Sequence, residues 1–375
     1  MSGSPAPEVV VVGAGIVGTA CAWELARAGA RVAVLEAGLA GGGATAAGMG
    51  HVVVLDDNEP EFRLAKLSHD LWDALATALP EGAEFSRPGT LWVAADGEEL
   101  EAAGRRCAAY RARGVAAEVL DARQLAQAEP ALREGLAGGL LVPEDAVVYP
   151  PCVVPWLLDE ARRHGARVEE GRRVVAIDGD SARCDDGSRR ETGWIVLATG
   201  ACAPELVPGV PVRRRKGHLV ITDRYPGFVR HQLVELGYLK SAHAMGSESV
   251  AFNVQPRPTG QLLVGSSRQL GVDDDAIDHQ LLSRMLARAL SYIPGLARLH
   301  ALRAWNGFRA ATPDGQPLIG PWPGRDGLLL ATGHEGLGIT TAFGTARLIA
   351  DLVLERASPI PREPYLPARL AGSTP

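Results

Sequence analysis

No C-x-x-C pair occurs among the five cysteines, Cys21, Cys107, Cys152, Cys184 and Cys202. An odd count without paired spacing argues against a disulfide framework or a zinc site and predicts reduced thiols in a reducing compartment. It also sets aside flavoenzymes that work through a redox-active disulfide. Positive charge is not in excess either. The net charge is −6, spread along the chain, whereas a nucleic-acid partner normally requires a basic face. The one compact basic run, Arg213-Arg214-Arg215-Lys216, is read as a solvated or helix-end cluster, with a place near an anionic ligand as the alternative. No run approaches the roughly 18 to 20 apolar residues that span a bilayer. Residues 1–8 lack the charged and apolar regions of a secretory signal. A cytoplasmic location is expected, with a peripheral contact at the inner membrane face left open. Internal repeats, low-complexity tracts and metal-ligand spacing are absent as well.

What is present suits an ordinary globular core: 375 residues, 46% hydrophobic and 22% charged. That length predicts two or three domains, or one large α/β body with an inserted partner. Glu8–Val12 reads as a fully buried strand, and 16–28 as a helix closed by Gly29 with Arg27 in its last turn. A second buried strand, 31–35, ends at Glu36. This β-turn-α-β run has the length of a dinucleotide-binding unit. Further helices are expected at 59–79, 97–113, 121–128 and 150–164, and strands at Thr90–Ala94, 167–170, 173–178 and 194–198. From 215 to 265 the pattern changes to strands between Gly/Pro/Asp turns, at 217–222, 232–236, 250–255 and 261–265, the mark of a mostly antiparallel sheet. A helix at 276–292, strands at 301–308 and 328–332 and a last helix at 340–356 follow. The two sheet types interleave, so the domains are expected to be discontinuous.

Gly13-Ala14-Gly15-Ile16-Val17-Gly18 is G-x-G-x-x-G placed directly after a strand and opening a helix. Its glycines permit a tight turn, a close approach of backbone to a pyrophosphate and close helix–strand packing. The helix N-terminus offers N–H groups and a positive dipole end to phosphates. Glu36, followed by Ala37, stands where a carboxylate accepts a ribose hydroxyl and repels a 2′-phosphate, which disfavours NADP. A nicotinamide enzyme would continue with regular βα units. This chain instead has 38–50, a Gly/Ala stretch containing Ala44-Thr45-Ala46-Ala47-Gly48-Met49. Small residues there let backbone lie against a broad planar ring, and Thr45 can donate to a phosphate or ribityl hydroxyl. Ala198-Thr199-Gly200 ends a buried strand and suits the adenosine half. Gly336-Leu337-Gly338-Ile339-Thr340 leads into the last helix, whose N-terminus suits the electron-rich edge of a reduced flavin.

With these segments in order, the sequence resembles the D-amino-acid-oxidase-like flavoproteins, the group of glycine oxidase, D-amino acid dehydrogenase and related imino-acid dehydrogenases. Gly307-Phe308-Arg309-Ala310-Ala311-Thr312-Pro313-Asp314-Gly315 is similar to that family's G-x-R-x-x-T-x-D-G stretch. The resemblance implies an α/β fold: a Rossmann-like FAD domain of the GR2 type with an interleaved α+β substrate domain. Its expected segments are 1–85, 146–214 and 309–375 for FAD, and 86–145 and 215–308 for substrate. It further implies non-covalent FAD, no cysteine lying near the C-terminal flavin segment, and Arg309 as the clamp on a substrate carboxylate. A guanidinium fork suits that task, and a structural Arg309 paired to Asp314 or to a carbonyl is the alternative. The backbone at Val174, with V-x-x-I spacing to Ile177, would meet adenine; as a bare feature Val174 is core.

Departures from the family bear on the substrate. Gly336 stands where glycine oxidases carry another arginine, and Asn253 where a strand often presents a tyrosine. A pocket without those groups suits a different or bulkier substrate. Gly336-Leu337-Gly338-Ile339-Thr340-Thr341 and Met49-Gly50-His51-Val52 look most like the branch acting on cyclic imino acids, D-hydroxyproline dehydrogenases above all. His51 and His334 either bond substrate and tune proton transfer or are satisfied structural histidines. Tyr238 and Lys240 lie in a loop-like stretch, on the surface or over the pocket. The implied partners are a small amino or imino acid and an electron acceptor, whether O2, a quinone or a redox protein. Homo-oligomerisation or a place in a larger complex is left open.

Overall fold

The computed structural model describes residues 8–55, 57–237 and 248–370. Tyr238 and Lys240 lie outside the described residues. The chain divides into two compact units, one of Met1–Ala83, Tyr149–Arg214 and Phe308–Pro375, the other of Glu84–Val148 and Arg215–Gly307.

In the first unit a six-stranded sheet runs in the order Leu318–Pro321, Leu328–Thr332, Trp194–Leu197, Glu8–Val12, Arg31–Glu36, Arg167–Glu170. Every neighbouring pair is parallel except the first, which is antiparallel. The run Val9–Val12 is buried residue by residue, as strands covered on both faces require. Helix Ile16–Arg27 packs against helices Ala342–Val353 and Pro150–Arg163. It is buried almost all round, so its small residues, rather than an amphipathic stripe, set its fit. Four parallel strands end side by side. The turns that leave them begin at Gly13, Ala37, Ala198 and Gly333, on the edge where open α/β sheets bind ligands.

The second unit holds most of an eight-stranded sheet ordered Ala301–Ala311, Arg213–Thr222, Leu262–Leu270, Glu248–Pro256, Gln232–Glu235, Thr90–Ala94, Gly138–Val142, Glu118–Asp121. From Arg213–Thr222 onward it is antiparallel apart from the pairing of Gln232–Glu235 with Thr90–Ala94. Helix His279–Tyr292 buries Leu281, Met285, Ala289 and Tyr292. Met285, Ala289 and Tyr292 share a core with Leu91, Val93, Leu233, Phe252 and Val254 of the sheet.

The structure corrects several expectations. The basic run opens strand Arg213–Thr222 and is neither a helix end nor fully solvated. Lys216 is 1% exposed, and its Nζ meets Asp274 Oδ1 at 2.9 Å and the Ala276 carbonyl. Burying an ammonium is tolerable only with such partners. The helix expected from 276 starts at His279, because Asp278 caps it by accepting from the N–H groups of Gln280 and Leu281. The helices at 59–79 and 340–356 are shorter, Glu59–Leu75 and Ala342–Val353, and the strand from 301 runs on to Ala311. Strands Ser181–Cys184 and Arg189–Glu191, which pair antiparallel beside Val174–Asp178, were not foreseen. Among the described residues no helix is long and apolar enough to cross a membrane.

A β-carbon at Gly18 would overlap the Gly13 carbonyl oxygen and stand 3.1 Å from Ala198 Cβ. The helix therefore approaches the strand as closely as backbone allows. Gly18→Ala is expected to destabilise the protein by about 1–3 kcal/mol through overpacking, seen as a lower urea midpoint. An unchanged midpoint would show that the helix can retreat freely.

Candidate functional site

The fingerprint turn is built from backbone. Gly13 has φ +101, and a β-carbon there would stand 2.7 Å from the Ala198 carbonyl oxygen. Only glycine permits both the conformation and the approach. The contact seats the 13–18 turn against Ala198-Thr199-Gly200. Glu36, at the end of the second strand, accepts from Ala14 N–H at 2.7 Å and from Gly38 N–H at 2.8 Å. Its carboxylate is thus fixed beside the helix head with acceptor capacity left over. Helix Ile16–Arg27 has no side-chain cap and no acidic residue in its first turn, which leaves its positive end to an anion. Thr45 Oγ1 accepts from Ile16 N–H at 3.0 Å, so the hydroxyl proton is left to donate elsewhere. The Thr199 Oγ1, also buried, has no hydrogen-bond partner in the structure.

The segment 44–49 folds into tight turns, with Ala46 N–H bonded to Gly43 O and Gly48 N–H to Thr45 O. A β-carbon at Gly48 would stand 2.8 Å from Ile339 Cδ1, so the two segments expected along a flavin lie against each other. The second is anchored from both sides. Thr340 Oγ1 donates to the His51 carbonyl at 2.8 Å. Trp72 Nε1 donates to the carbonyls of Ile339 and Thr340 at 3.1 and 3.3 Å. Thr332 Oγ1 holds the Gly200 carbonyl at 2.9 Å. These restraints leave the backbone of Gly336-Leu337-Gly338 at the head of helix Ala342–Val353.

Close glycine backbone, a carboxylate at the second strand end, an open helix head and an unsatisfied buried hydroxyl together fit an adenine dinucleotide with a flat second ring. Gly13 to Gly18 would hold the pyrophosphate, Glu36 and Ala37 the ribose, and the 44–49 and 336–340 segments the flavin. Val174 is 7% exposed, and its side chain belongs to a core cluster with Val10, Leu35 and Ile177, so only its backbone is available to adenine.

The expected substrate residues divide between the units. In the first, Arg309 lies beside Gly336: a β-carbon on Gly336 would be 3.8 Å from Arg309 Nε. Asp314, weighed as the structural partner of Arg309, is bonded by Arg369 at 2.7 and 3.1 Å. Burial pushes the Asp314 carboxyl up, but the Arg369 hydrogen bond and charge outweigh it and hold the group below the usual carboxylate range. His51 is half-buried on strand His51–Val52. His334 is buried, with Nε2 2.9 Å from Thr345 Oγ1 on the last helix. Burial pushes it down to about 4, so it is neutral near pH 7. In the second unit Asn253 is 7% exposed, opposite Val234 and Gly265 in register. Its Oδ1 lacks a partner, as do Thr90 Oγ1 and Gln232 Oε1. Thr90 and Gln232 are register partners, and strand alternation places all three on the face turned away from the core residues Leu91, Leu233 and Phe252. Sequence reasoning missed Trp72, Thr90 and Gln232. A tryptophan in an amphipathic helix carries no motif, and the other two reveal themselves only through strand register.

Comparison with known proteins accords with this geometry. The family described as FAD dependent oxidoreductase matches residues 8–352. Glycine oxidase of Geobacillus kaustophilus is 29% identical, over 97% of each chain. The crystal structure of glycine oxidase from that organism covers 96% of this chain and 98% of its own, with TM-score 0.86 and 28% identity. Hydrogen cyanide synthase subunit HcnC of Pseudomonas aeruginosa is 26% identical over 96% of each chain. L-proline dehydrogenase from P. horikoshii shares the fold, with TM-score 0.85 and 24% identity over 97% and 98% of the two chains.

Neutral burial of His334 makes stability depend on pH. Unfolded histidine titrates near 6.5 and the folded one near 4, so between those values the unfolded chain binds the extra proton. Stability is full above pH 6.5 and falls as pH drops towards 4, by about 3 kcal/mol from this group. His334→Gln is expected to flatten that part of a melting-temperature profile. Parallel profiles for the two proteins would assign the loss elsewhere.

Proposed function

The chain belongs to the FAD dependent oxidoreductase family, and on that premise we propose that it oxidises a small amino or imino acid at the carbon next to nitrogen. The finer assignment is a dehydrogenase of the D-hydroxyproline or D-proline type. One observation carries it: Arg309 lies beside Gly336 with no side chain of that residue between. A guanidinium at the flavin-facing loop suits a carboxylate, and the space left by glycine suits a ring where glycine itself would rattle.

Little acid–base machinery is required. Arg309 would grip both carboxylate oxygens and so align the C–H bond, converting binding energy into orientation. With the amine bound neutral, its lone pair assists departure of the hydrogen as hydride and leaves an iminium, which hydrolyses or is released as a cyclic pyrroline. FAD, when bound, supplies the acceptor of that hydride at its N5. The head of helix Ala342–Val353 favours negative charge arriving beside it. Likeness to HcnC, a synthase subunit, favours a second reading, a flavoprotein working inside a larger complex. Gel filtration of the chain expressed alone, with turnover on an artificial dye compared with O2, separates the two.

The purified protein is expected to be yellow, and proline or hydroxyproline isomers should bleach its flavin anaerobically. Bleaching by no amino or imino acid would overturn the assignment. Arg309→Ala should lower kcat/KM for carboxylate substrates about 100-fold while leaving FAD content near that of the parent. Equal loss of both would make the arginine scaffold.

A further inference from the structure

The last described turn of the chain grips the loop that follows Arg309. Arg369 places a two-pronged contact on Asp314, Nε to Oδ2 at 2.7 Å and a terminal nitrogen to Oδ1 at 3.1 Å. The same terminal nitrogen donates to the Gln316 carbonyl at 2.7 Å. That carbonyl also receives Thr312 Oγ1 at 2.8 Å, and Asp314 Oδ1 accepts Gln316 N–H at 3.1 Å. Thr312, Asp314 and Arg369 thus lock a five-residue turn whose Thr and Asp belong to the stretch containing Arg309.

The turn is fixed on its other sides too. A β-carbon at Gly333 would stand 2.6 Å from Thr312 Cγ2, so the turn is wedged against the start of the segment that carries Gly336. Gln316 Nε2 donates to Asn58 Oδ1 at 2.9 Å, and Asn58 caps helix Glu59–Leu75, from which Trp72 holds the Ile339 and Thr340 carbonyls. The tail itself is seated. Tyr365, 1% exposed, donates to the Pro60 carbonyl at 2.6 Å, and Leu366 lies against Gly320.

We infer that Arg369 is a positioning residue for the carboxylate clamp, setting through the 312–316 turn where Arg309 stands relative to the Gly336 loop. This rests on the amino- or imino-acid assignment above. A bidentate pair that is 18% and 33% exposed at its two side chains is better ordered than a surface ion pair, and its geometry cannot be supplied by an ammonium. Sub-ångström errors in a clamp weaken binding and alignment without unfolding the protein.

The test uses FAD-loaded enzyme with pyrrole-2-carboxylate, a carboxylate that cannot be oxidised, titrated by its perturbation of the flavin spectrum. Arg369→Ala is expected to raise the dissociation constant about tenfold, with FAD content held and KM for substrate rising more than kcat falls. Arg369→Lys should recover little, and Asp314→Asn should reproduce the defect. The double variant should be no worse than either single one, because both break one interaction. A lower melting temperature with unchanged dissociation constant and KM would overturn the inference and leave Arg369 a structural strap. Wild-type flavin that no amino or imino acid reduces would instead overturn the underlying assignment, and the clamp with it.

Discussion

The absence of a side chain at Gly18 governs the arrangement of the first unit. Helix Ile16–Arg27 can lie on the Gly13 carbonyl only because no β-carbon intervenes. That contact sets the height of the helix head over the sheet edge, and with it the placing of Ala14 N–H on Glu36 and Ile16 N–H on Thr45. Two segments distant in sequence are thereby drawn to one point by backbone donors. Side-chain identity matters less there than the absence of side chains, which is why the region is so rich in glycine and alanine.

Electrostatics follow from the same placement. A helix head without an acidic residue in its first turn offers partial positive charge, and the Glu36 carboxylate is held beside it on Ala14 N–H. Before helix Ala342–Val353, Trp72 Nε1 engages the Ile339 and Thr340 carbonyls, while Thr340 Oγ1 ties the segment to the His51 carbonyl. The unit therefore presents N–H groups at one helix head and engages two carbonyls that precede the other. The buried Lys216 ammonium is matched differently, by the Asp274 carboxylate and the Ala276 carbonyl.

Much of this was legible before any coordinates. Continuous valine runs, the spacing of Gly13, Gly15 and Gly18, and the switch to turn-punctuated strands after 215 carry the architecture. Strands such as Arg189–Glu191 escaped notice because they are short, charged and outward-facing, so no apolar alternation marks them. Helix starts shifted where a cap decided them, as Asp278 does. At the candidate site, residue types were readable but engagements were not. His334 carries a chemistry-bearing ring whichever way it points, and only packing reveals that Thr345 holds it. Asp314 resembled a partner for Arg309 because the two are close in sequence, whereas its companion in the structure, Arg369, is 55 positions away.

The strand order of the first unit has a bearing on biosynthesis. Strand Glu8–Val12 leaves a ribosome before its neighbour Trp194–Leu197, which must itself pair with Leu328–Thr332. Translation must reach Leu328–Thr332 before that sheet can close. Until then the glycine turn and its valine strand wait with apolar surface uncovered, the interval in which large discontinuous domains are most exposed to aggregation. Completion of the candidate nucleotide cradle therefore waits on the synthesis of Leu328–Thr332.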